Sequence, residues 1–206
     1  MWYSVLIAVL VAYFLGNLNG SVCMSALMHD DVRTHGSGNA GLTNFVRNYG
    51  ANKAVLVILI DAGKAVLACA AAGLILKPYL NDFFQGAAIG GLALMMGHNF
   101  PALLGFRGGK GILSGLFIAV VVDWRIALII LAIFALAYLL TQYVSLGSTL
   151  AAVAFGVLFV VLHLGDPIIM ICGGLMGALA VFMHRGNIAR LIKGEERKTN
   201  LFKKSK

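Results

Sequence analysis

The chain has 206 residues, of which 60% are apolar and only 12% are charged. A soluble domain is usually about 25% charged, so this composition excludes most water-soluble folds and indicates an integral membrane protein. The net charge of +8 does not by itself indicate a nucleic-acid-binding protein, because basic residues of membrane proteins collect on the cytoplasmic side. We therefore expect no nucleic-acid partner.

Seven apolar segments are predicted to cross the membrane. In chain order they are residues 2–28, 54–76, 83–104, 112–122, 126–140, 146–164 and 167–183. The start lacks a charged region and a cleavage site, so we expect it to be retained as the first span. The sequence therefore predicts an all-α integral membrane fold, a seven-transmembrane-helix bundle that forms one domain over residues 1–206.

The fourth segment is short for a span. Its eleven residues reach about 17 Å, against roughly 30 Å of hydrocarbon. Either this helix begins earlier, near Lys110, or the preceding loop folds into the membrane, which is the arrangement that we favour.

The basic residues predict the orientation. If the N-terminus lies outside, thirteen of the sixteen Lys and Arg residues fall on the inner side, two on the outer side, and Lys64 within a span. This bias predicts an outside N-terminus and a cytoplasmic C-terminus. The tail from about residue 190 is strongly basic, so we expect it to face anionic membrane lipids. The polar loops also fall on the inner side, which predicts one functional site at the cytoplasmic surface.

The first inner loop combines three glycines with hydroxyl and amide side chains over residues 36–44. Glycines allow backbone N–H groups to converge on an anion, and a following helix N-terminus strengthens such a site. We predict a phosphate site here, and a flexible linker with a helix cap is the alternative. The candidate ligands are Gly36, Ser37, Gly38, Asn39, Gly41, Thr43, Asn44 and Arg47.

Two further inner segments carry similar chemistry. Residues 106–111 place Gly108 and Gly109 between Arg107 and Lys110, although the spacing is not that of a P-loop; the alternative is a basic turn that only fixes topology. Residues 184–191 place His184 and Asn187 on one helix face with Arg190 nearby, and the alternative is a basic helix end produced by the positive-inside rule.

Asp61 and Lys64 lie within the second span, three residues apart. On a helix they share a face and can form an intramembrane ion pair. We expect this pair to support the site, with simple helix packing as the alternative. The chain has no HExxH or CxxC motif, so we predict no metal site.

Three motifs of the chain resemble those of the bacterial membrane acyl-phosphate:glycerol-3-phosphate acyltransferase family (PlsY). They read GSGNxGxTN, GHxxPxxxxFxGGKG and HRxNIxRLxxGxExK, in the family's order and on the predicted inner side. The resemblance covers essentially the whole chain. Its departures are Leu42, where the family commonly has Ala, and Ala65, where Gly is expected; neither removes a polar group.

The resemblance implies an enzyme without a cofactor, in the bacterial plasma (inner) membrane. Its reaction is transfer of an acyl chain from acyl phosphate to the 1-hydroxyl of glycerol 3-phosphate, the first acylation of phospholipid biosynthesis. The products are 1-acyl-glycerol 3-phosphate (lysophosphatidate) and phosphate. An enzyme that produces acyl phosphate is an expected partner.

We infer site roles from the motifs and this reaction together. Ser37, Lys110 and His184 are expected to be catalytic, and Ser37 and Ser145 to hold the acyl phosphate. The remaining expected substrate ligands are Gly36, Gly38, Asn39, Gly41, Thr43, Asn44, Arg47, His98, Gly108, Gly109, Asn187 and Arg190.

Several alternatives remain open from the sequence. The hydroxyl proton is expected to leave to a substrate phosphate oxygen, with His98 or His184 as the competing base. Ser37 could instead accept the acyl group, although no activating partner is placed beside it by sequence. A small-anion or phosphate transporter is the alternative function, but the chain shows no internal repeat of the kind that transporters carry.

Overall fold

The computed structural model describes residues 1–199, in which the chain forms ten α-helices and two short 3₁₀ turns. In chain order the helices are α1 (Trp2–Asn17), α2 (Gly20–Ala26), α3 (Leu42–Tyr49), α4 (Ala51–Leu80), α5 (Phe83–Asn99), α6 (Ile112–Val122), α7 (Trp124–Thr141), α8 (Val144–Leu162), α9 (Pro167–Met183) and α10 (Arg185–Ile192). The predicted all-α class is confirmed.

Between four and six elements of the described chain are long and apolar enough to cross a membrane. Four of these elements are continuous. They are the helices α4, α7 and α8, and α5 together with the 3₁₀ turn that follows it. The pairs α1–α2 and α9–α10 also qualify if each is one span, bent by 45° and 53° respectively. Helix α6 is apolar but shorter. Seven passes and their orientation therefore stay predictions.

Small residues bring the helices close together. A Cβ atom on Gly97 of α5 would collide with the carbonyl oxygen of Tyr13, and one on Gly16 would collide with that of Leu94. Helices α8 and α9 meet in the same way at Gly156 and Gly177, where a Cβ added to Gly177 would collide with the facing Cα. Backbone contact of this kind is how helices pack in lipid, where the hydrophobic effect does not drive them together.

Aspartates begin the three helices α5, α7 and α9. Asp82 accepts a hydrogen bond from the Phe84 N–H, Asp123 from Arg125, and Asp166 from Ile168. These carboxylates satisfy N–H groups that have no partner within the helix and complement its dipole. The alternating helix directions place all three caps at one end of the bundle, which leaves the glycine-rich loops at the other.

The first predicted span is broken at Leu18–Asn19, and the Asp61–Lys64 pair fills the break. Lys64 Nζ lies 2.8 Å from Asp61 Oδ1 and also donates to the carbonyl oxygens of Gly16 and Leu18. Asp61 Oδ1 accepts from the backbone N–H of Gly20, the first residue of α2. A break at membrane depth is tolerated only where other groups satisfy the freed backbone. The pair does so here, and both of its residues are buried.

Candidate active site

A cavity of about 580 Å³ lies where the three sequence motifs meet. Its apolar part is formed by side chains of α6, α7 and α8, among them Leu116, Ile130 and Phe134. Its polar part contains most of the predicted site residues, namely Ser37, Asn39, Gly41, Thr43, Asn44, Arg47, Asp61, His98, Lys110, Ser145, His184, Asn187 and Arg190. One compartment therefore joins a polar, largely cationic region to an apolar one.

Asn44 holds the first loop in shape. Its side-chain oxygen accepts from the N–H of Ser37 at 3.0 Å, and its amide nitrogen donates to three loop carbonyls, those of Val32, His35 and Asn39. These bonds use the amide donors of Asn44 within the loop, so the geometry favours Asn44 as an organiser of the loop over a substrate ligand. The loop carries Ser37, which is exposed, to the cavity.

Four predicted glycine ligands lie outside the cavity lining of the described chain. They are Gly36, Gly38, Gly108 and Gly109, and two of them have a clear packing role. Gly36 has a φ of +59°, and a Cβ there would lie 2.5 Å from Asn44 Oδ1. A Cβ on Gly108 would collide with the carbonyl oxygen of His98. These glycines allow the loops to fold tightly, and their direct contact with a ligand stays a prediction.

The second loop folds back onto the end of α5. The N–H of Gly109 donates to the carbonyl oxygen of His98 at 3.1 Å, and Gly109 and Gly111 are buried. As a result Lys110 reaches the cavity and donates to Asn187 Oδ1. The folding of this loop into the membrane stays a prediction. Burial, with a smaller contribution from the charge of Arg190, lowers the pKa of Lys110 to about 8.

The third motif wraps around the bend between α9 and α10. Asn187 accepts from Lys110 and donates to Glu196 Oε1 at 3.2 Å, while Arg190 Nε lies 2.7 Å from Glu196 Oε2. The Glu196 side chain is only 5% exposed. The site therefore contains an internal carboxylate among its cations.

The basic tail does not simply lie along the lipid surface. Residues 195–199 fold back to the cavity, where the Thr199 hydroxyl accepts from Arg47, and the Thr199 carbonyl accepts from Tyr138 at 3.0 Å. Thr199 therefore has its partners within the protein, whereas Lys193, Arg197 and Lys198 are exposed, so the expectation that these basic side chains face lipid stays a prediction. Its further lysines, Lys203, Lys204 and Lys206, lie outside the described residues.

Sequence reasoning missed Thr199 as a site residue and left Glu196 out of the predicted set. Nothing in the sequence pattern identifies Thr199, since it follows a run of charges with no periodicity. Ser148 also lines the cavity, one helical turn beyond Ser145. Ser145 lines the cavity and is buried, and its Oγ makes no hydrogen bond within residues 1–199.

The two histidines at the cavity have different partners. His184 Nδ1 lies 2.8 Å from the carbonyl oxygen of Ala180, which can only accept, so this nitrogen carries a proton. His98 Nδ1 lies 2.7 Å from Lys64 Nζ. Lys64 is the one member of the predicted set, apart from the four glycines, that does not line the cavity. Its ammonium group contacts His98 and Asp61, which do.

Comparison with known proteins identifies the family. The family described as glycerol-3-phosphate acyltransferase matches residues 6–194. The chain is 39% identical over 197 residues to a glycerol-3-phosphate acyltransferase of Thermoanaerobacter sp. (strain X514), covering 95% of this chain and 96% of that one. It is 38% identical over 196 residues to that of Finegoldia magna, covering 92% and 93%.

Solved structures agree with these relatives. The chain is similar to a crystal structure of PlsY (YgiH), described as an integral membrane glycerol 3-phosphate acyltransferase, in its glycerol 3-phosphate form. The TM-score is 0.84 at 30% identity, over 97% of this chain and 100% of that one. For the lysophosphatidic acid form the TM-score is 0.79 at 32% identity, with 96% of each chain covered. The chain therefore belongs to the glycerol-3-phosphate acyltransferase family and is a multi-pass integral membrane protein.

Proposed function

We propose that this acyltransferase uses acyl phosphate as its donor and acylates the 1-hydroxyl of glycerol 3-phosphate. The products are 1-acyl-glycerol 3-phosphate and inorganic phosphate, so the reaction is the first acylation of phospholipid synthesis. The observation that carries the proposal is the cavity that joins a cationic region to an apolar one. Both substrates carry a phosphate, and one also carries an alkyl chain that side chains such as Leu116 and Phe134 can surround.

The transfer proceeds by direct attack. The glycerol hydroxyl oxygen forms a bond to the acyl carbon, and the bond from that carbon to the phosphate oxygen breaks, with its electron pair leaving on the phosphate. The hydroxyl proton moves to a phosphate oxygen. Acyl phosphate is an activated anhydride, so the protein needs only to orient two anions and to stabilise developing charge. The competing acceptor is His184, whose Nδ1–H bond to Ala180 leaves the lone pair of Nε2 free in the neutral ring.

Arg47, Lys110 and Asn187 hold glycerol 3-phosphate, and Ser37 and Ser145 hold the acyl phosphate. Hydrogen bonds from charged donors to phosphate are stronger than those between neutral groups, and a partly enclosed site strengthens them further. In the structure Arg47 donates to Thr199 and Arg190 pairs with Glu196. An incoming phosphate therefore replaces or shares these internal partners.

We further propose seven membrane passes in the bacterial inner membrane, with the N-terminus outside and the site at the cytoplasmic face. The support is the distribution of Lys and Arg, thirteen inside against two outside. In this arrangement glycerol 3-phosphate arrives from the cytoplasm, and acyl phosphate arrives from a partner enzyme or along the bilayer.

Membrane vesicles of the two orientations test donor and sidedness together. Inside-out vesicles that contain the protein are expected to convert added glycerol 3-phosphate and acyl phosphate to lysophosphatidate, whereas sealed right-side-out vesicles are expected to do so only after permeabilisation. Acyl-CoA and acyl carrier protein are the donor controls. Equal turnover with these donors, or greater turnover in right-side-out vesicles, would contradict the proposal. Phosphate counterflow in liposomes without product would instead support a carrier.

The pH dependence of turnover tests the role of Lys110. Its pKa of about 8 means that the free enzyme loses this charge as the pH rises through 8, and with it an attraction for phosphate. We expect kcat/KM for glycerol 3-phosphate to fall above about pH 8, whereas Lys110→Arg keeps its value because a guanidinium stays charged. Steady-state rates from about pH 7 to about pH 10 measure this. The same alkaline fall in both proteins would rule out Lys110 as its cause.

A further inference from the structure

Lys64 lies between the break in the first span and the catalytic cavity. On one side its ammonium group meets Asp61 and the backbone carbonyls of Gly16 and Leu18. On the other side its Nζ lies 2.7 Å from Nδ1 of His98. Lys64 and His98 are both buried, with 3% and 4% of their surface exposed. The contact between them is thus an enclosed hydrogen bond between two titratable side chains.

The direction of this hydrogen bond follows from what an ammonium group can do. A lysine ammonium has three N–H donors and no acceptor. Its ion pair with Asp61, at 2.8 Å, and its two carbonyl partners all favour the charged form. His98 Nδ1 must therefore accept the bond, and a neutral imidazole that accepts at Nδ1 carries its proton on Nε2.

The protonated edge of His98 lies at the second glycine-rich loop. A Cβ atom built on Gly109 would collide with Nε2, so the ring edge lies directly against the backbone of this loop. His98 also lines the cavity beside Lys110. An N–H group at this position can donate to an oxygen of a bound substrate, but it has no lone pair with which to remove a proton.

We propose that Lys64 is a positioning residue that fixes His98 in the Nε2-protonated form and so makes it a hydrogen-bond donor to substrate oxygen. The inference rests on the proposed acyl transfer and extends it, because it assigns opposite roles to the two cavity histidines. His98 donates from Nε2, whereas His184, protonated at Nδ1 by its bond to Ala180, presents an acceptor. Only His184 can compete with substrate phosphate for the proton.

Nitrogen-15 NMR of histidine-labelled protein in nanodiscs tests the protonation pattern without any substrate. The chain has five histidines, and His98→Gln and His184→Gln assign the two signals by their disappearance. We expect His98 to be protonated at Nε2 and His184 at Nδ1, so that each ring serves as the reference for the other. A proton on Nδ1 of His98 at neutral pH would overturn the proposal.

The double substitution Asp61→Asn with Lys64→Met tests whether Lys64 sets this pattern. It removes the donor to Nδ1 without leaving an unpaired buried carboxylate. We expect His98 to lose its single protonation pattern and to populate both neutral forms, while the His184 signal stays unchanged and shows that the fold persists. Lys64→Arg keeps a charged donor beside Asp61 and is the matched control, in which the pattern should remain. An unchanged His98 pattern in the double variant would overturn the role of Lys64.

Measurements of turnover distinguish a hydrogen-bond donor from a general base at position 98. A glutamine side chain can place an N–H near the position of histidine Nε2, so His98→Gln should retain kcat within about tenfold, whereas His98→Ala should lose about 10²–10³-fold, the usual cost of one transition-state donor. Equal losses in both variants would contradict a donor role. If acyl phosphate proves not to be the donor substrate, the vesicle assay fails while the NMR result stands, so the two failures are distinguishable.

Discussion

Lys110→Ala is expected to lower kcat/KM for glycerol 3-phosphate by about 10²–10³-fold. Lys110 lines the cavity and donates to Asn187, and Arg47 and Arg190 line the same polar region. Its removal takes a positive charge from a partly enclosed site that must hold two phosphates. Loss of one such charged donor usually costs several kcal/mol of transition-state binding.

The same loop supplies the control. Arg107 lies three residues earlier, is exposed, and does not line the cavity. Arg107→Ala removes an equal charge from the same loop, and we expect it to change kcat/KM by no more than about twofold. Steady-state kinetics of both variants at one ionic strength make the comparison. Similar losses would indicate a general electrostatic effect of the loop, and retained activity in Lys110→Ala would remove Lys110 from the site.

Lys64→Met is expected to lower the stability of the protein by about 3–5 kcal/mol. The substitution leaves Asp61 as a buried and unpaired carboxylate, and breaking a buried ion pair has a cost of this size. It also removes the donor for the carbonyls of Gly16 and Leu18 at the break between α1 and α2. We expect the midpoint of thermal unfolding to fall by roughly 10 °C.

Thiol labelling in detergent measures this effect in a Cys23→Ser background, because the two remaining cysteines, Cys69 and Cys172, are buried and are expected to react on unfolding. The double substitution Asp61→Asn with Lys64→Met is the matched variant. It has no uncompensated charge, and the amide oxygen that replaces the carboxylate can still accept from the N–H of Gly20, so much of the stability should return. If the single and double variants unfold at the same temperature, the loss of stability does not come from the unpaired carboxylate of Asp61.

The helices could be predicted from the sequence where apolar length alone decides them. Predicted spans 112–122 and 167–183 coincide with α6 and α9, whereas predicted span 54–76 is extended to Ala51–Leu80. Polar loop residues stop a hydropathy pattern before the backbone hydrogen bonds of the helix end. The Asp61–Lys64 ion pair could also be predicted, since two charges three residues apart within one helix in lipid have few other partners.

The sequence predicts which types of residue form the site, but it does not predict how those residues contact one another. The motifs identified most of the polar side chains that line the cavity, because glycine, amide and basic side chains have few structural reasons to gather at one end of a membrane bundle. They could not show that Asn44 binds its own loop or that Gly108 packs against His98. They also could not place Thr199, since its contacts with Arg47 and Tyr138 join distant segments and leave no periodic trace in the sequence. Glu196 belongs to the third motif, but only the structure shows that it pairs with Arg190 and accepts from Asn187.

The contact between Thr199 and Arg47 has a practical consequence for handling the protein. A purification tag or fluorescent reporter fused shortly after residue 199 would disturb the segment whose Thr199 hydroxyl accepts a hydrogen bond from Arg47. Low activity of such a fusion protein would then be caused by the tag and would not describe the untagged enzyme. The opposite end of the chain, where Trp2 and Tyr3 are 79% and 84% exposed, is the safer place of attachment.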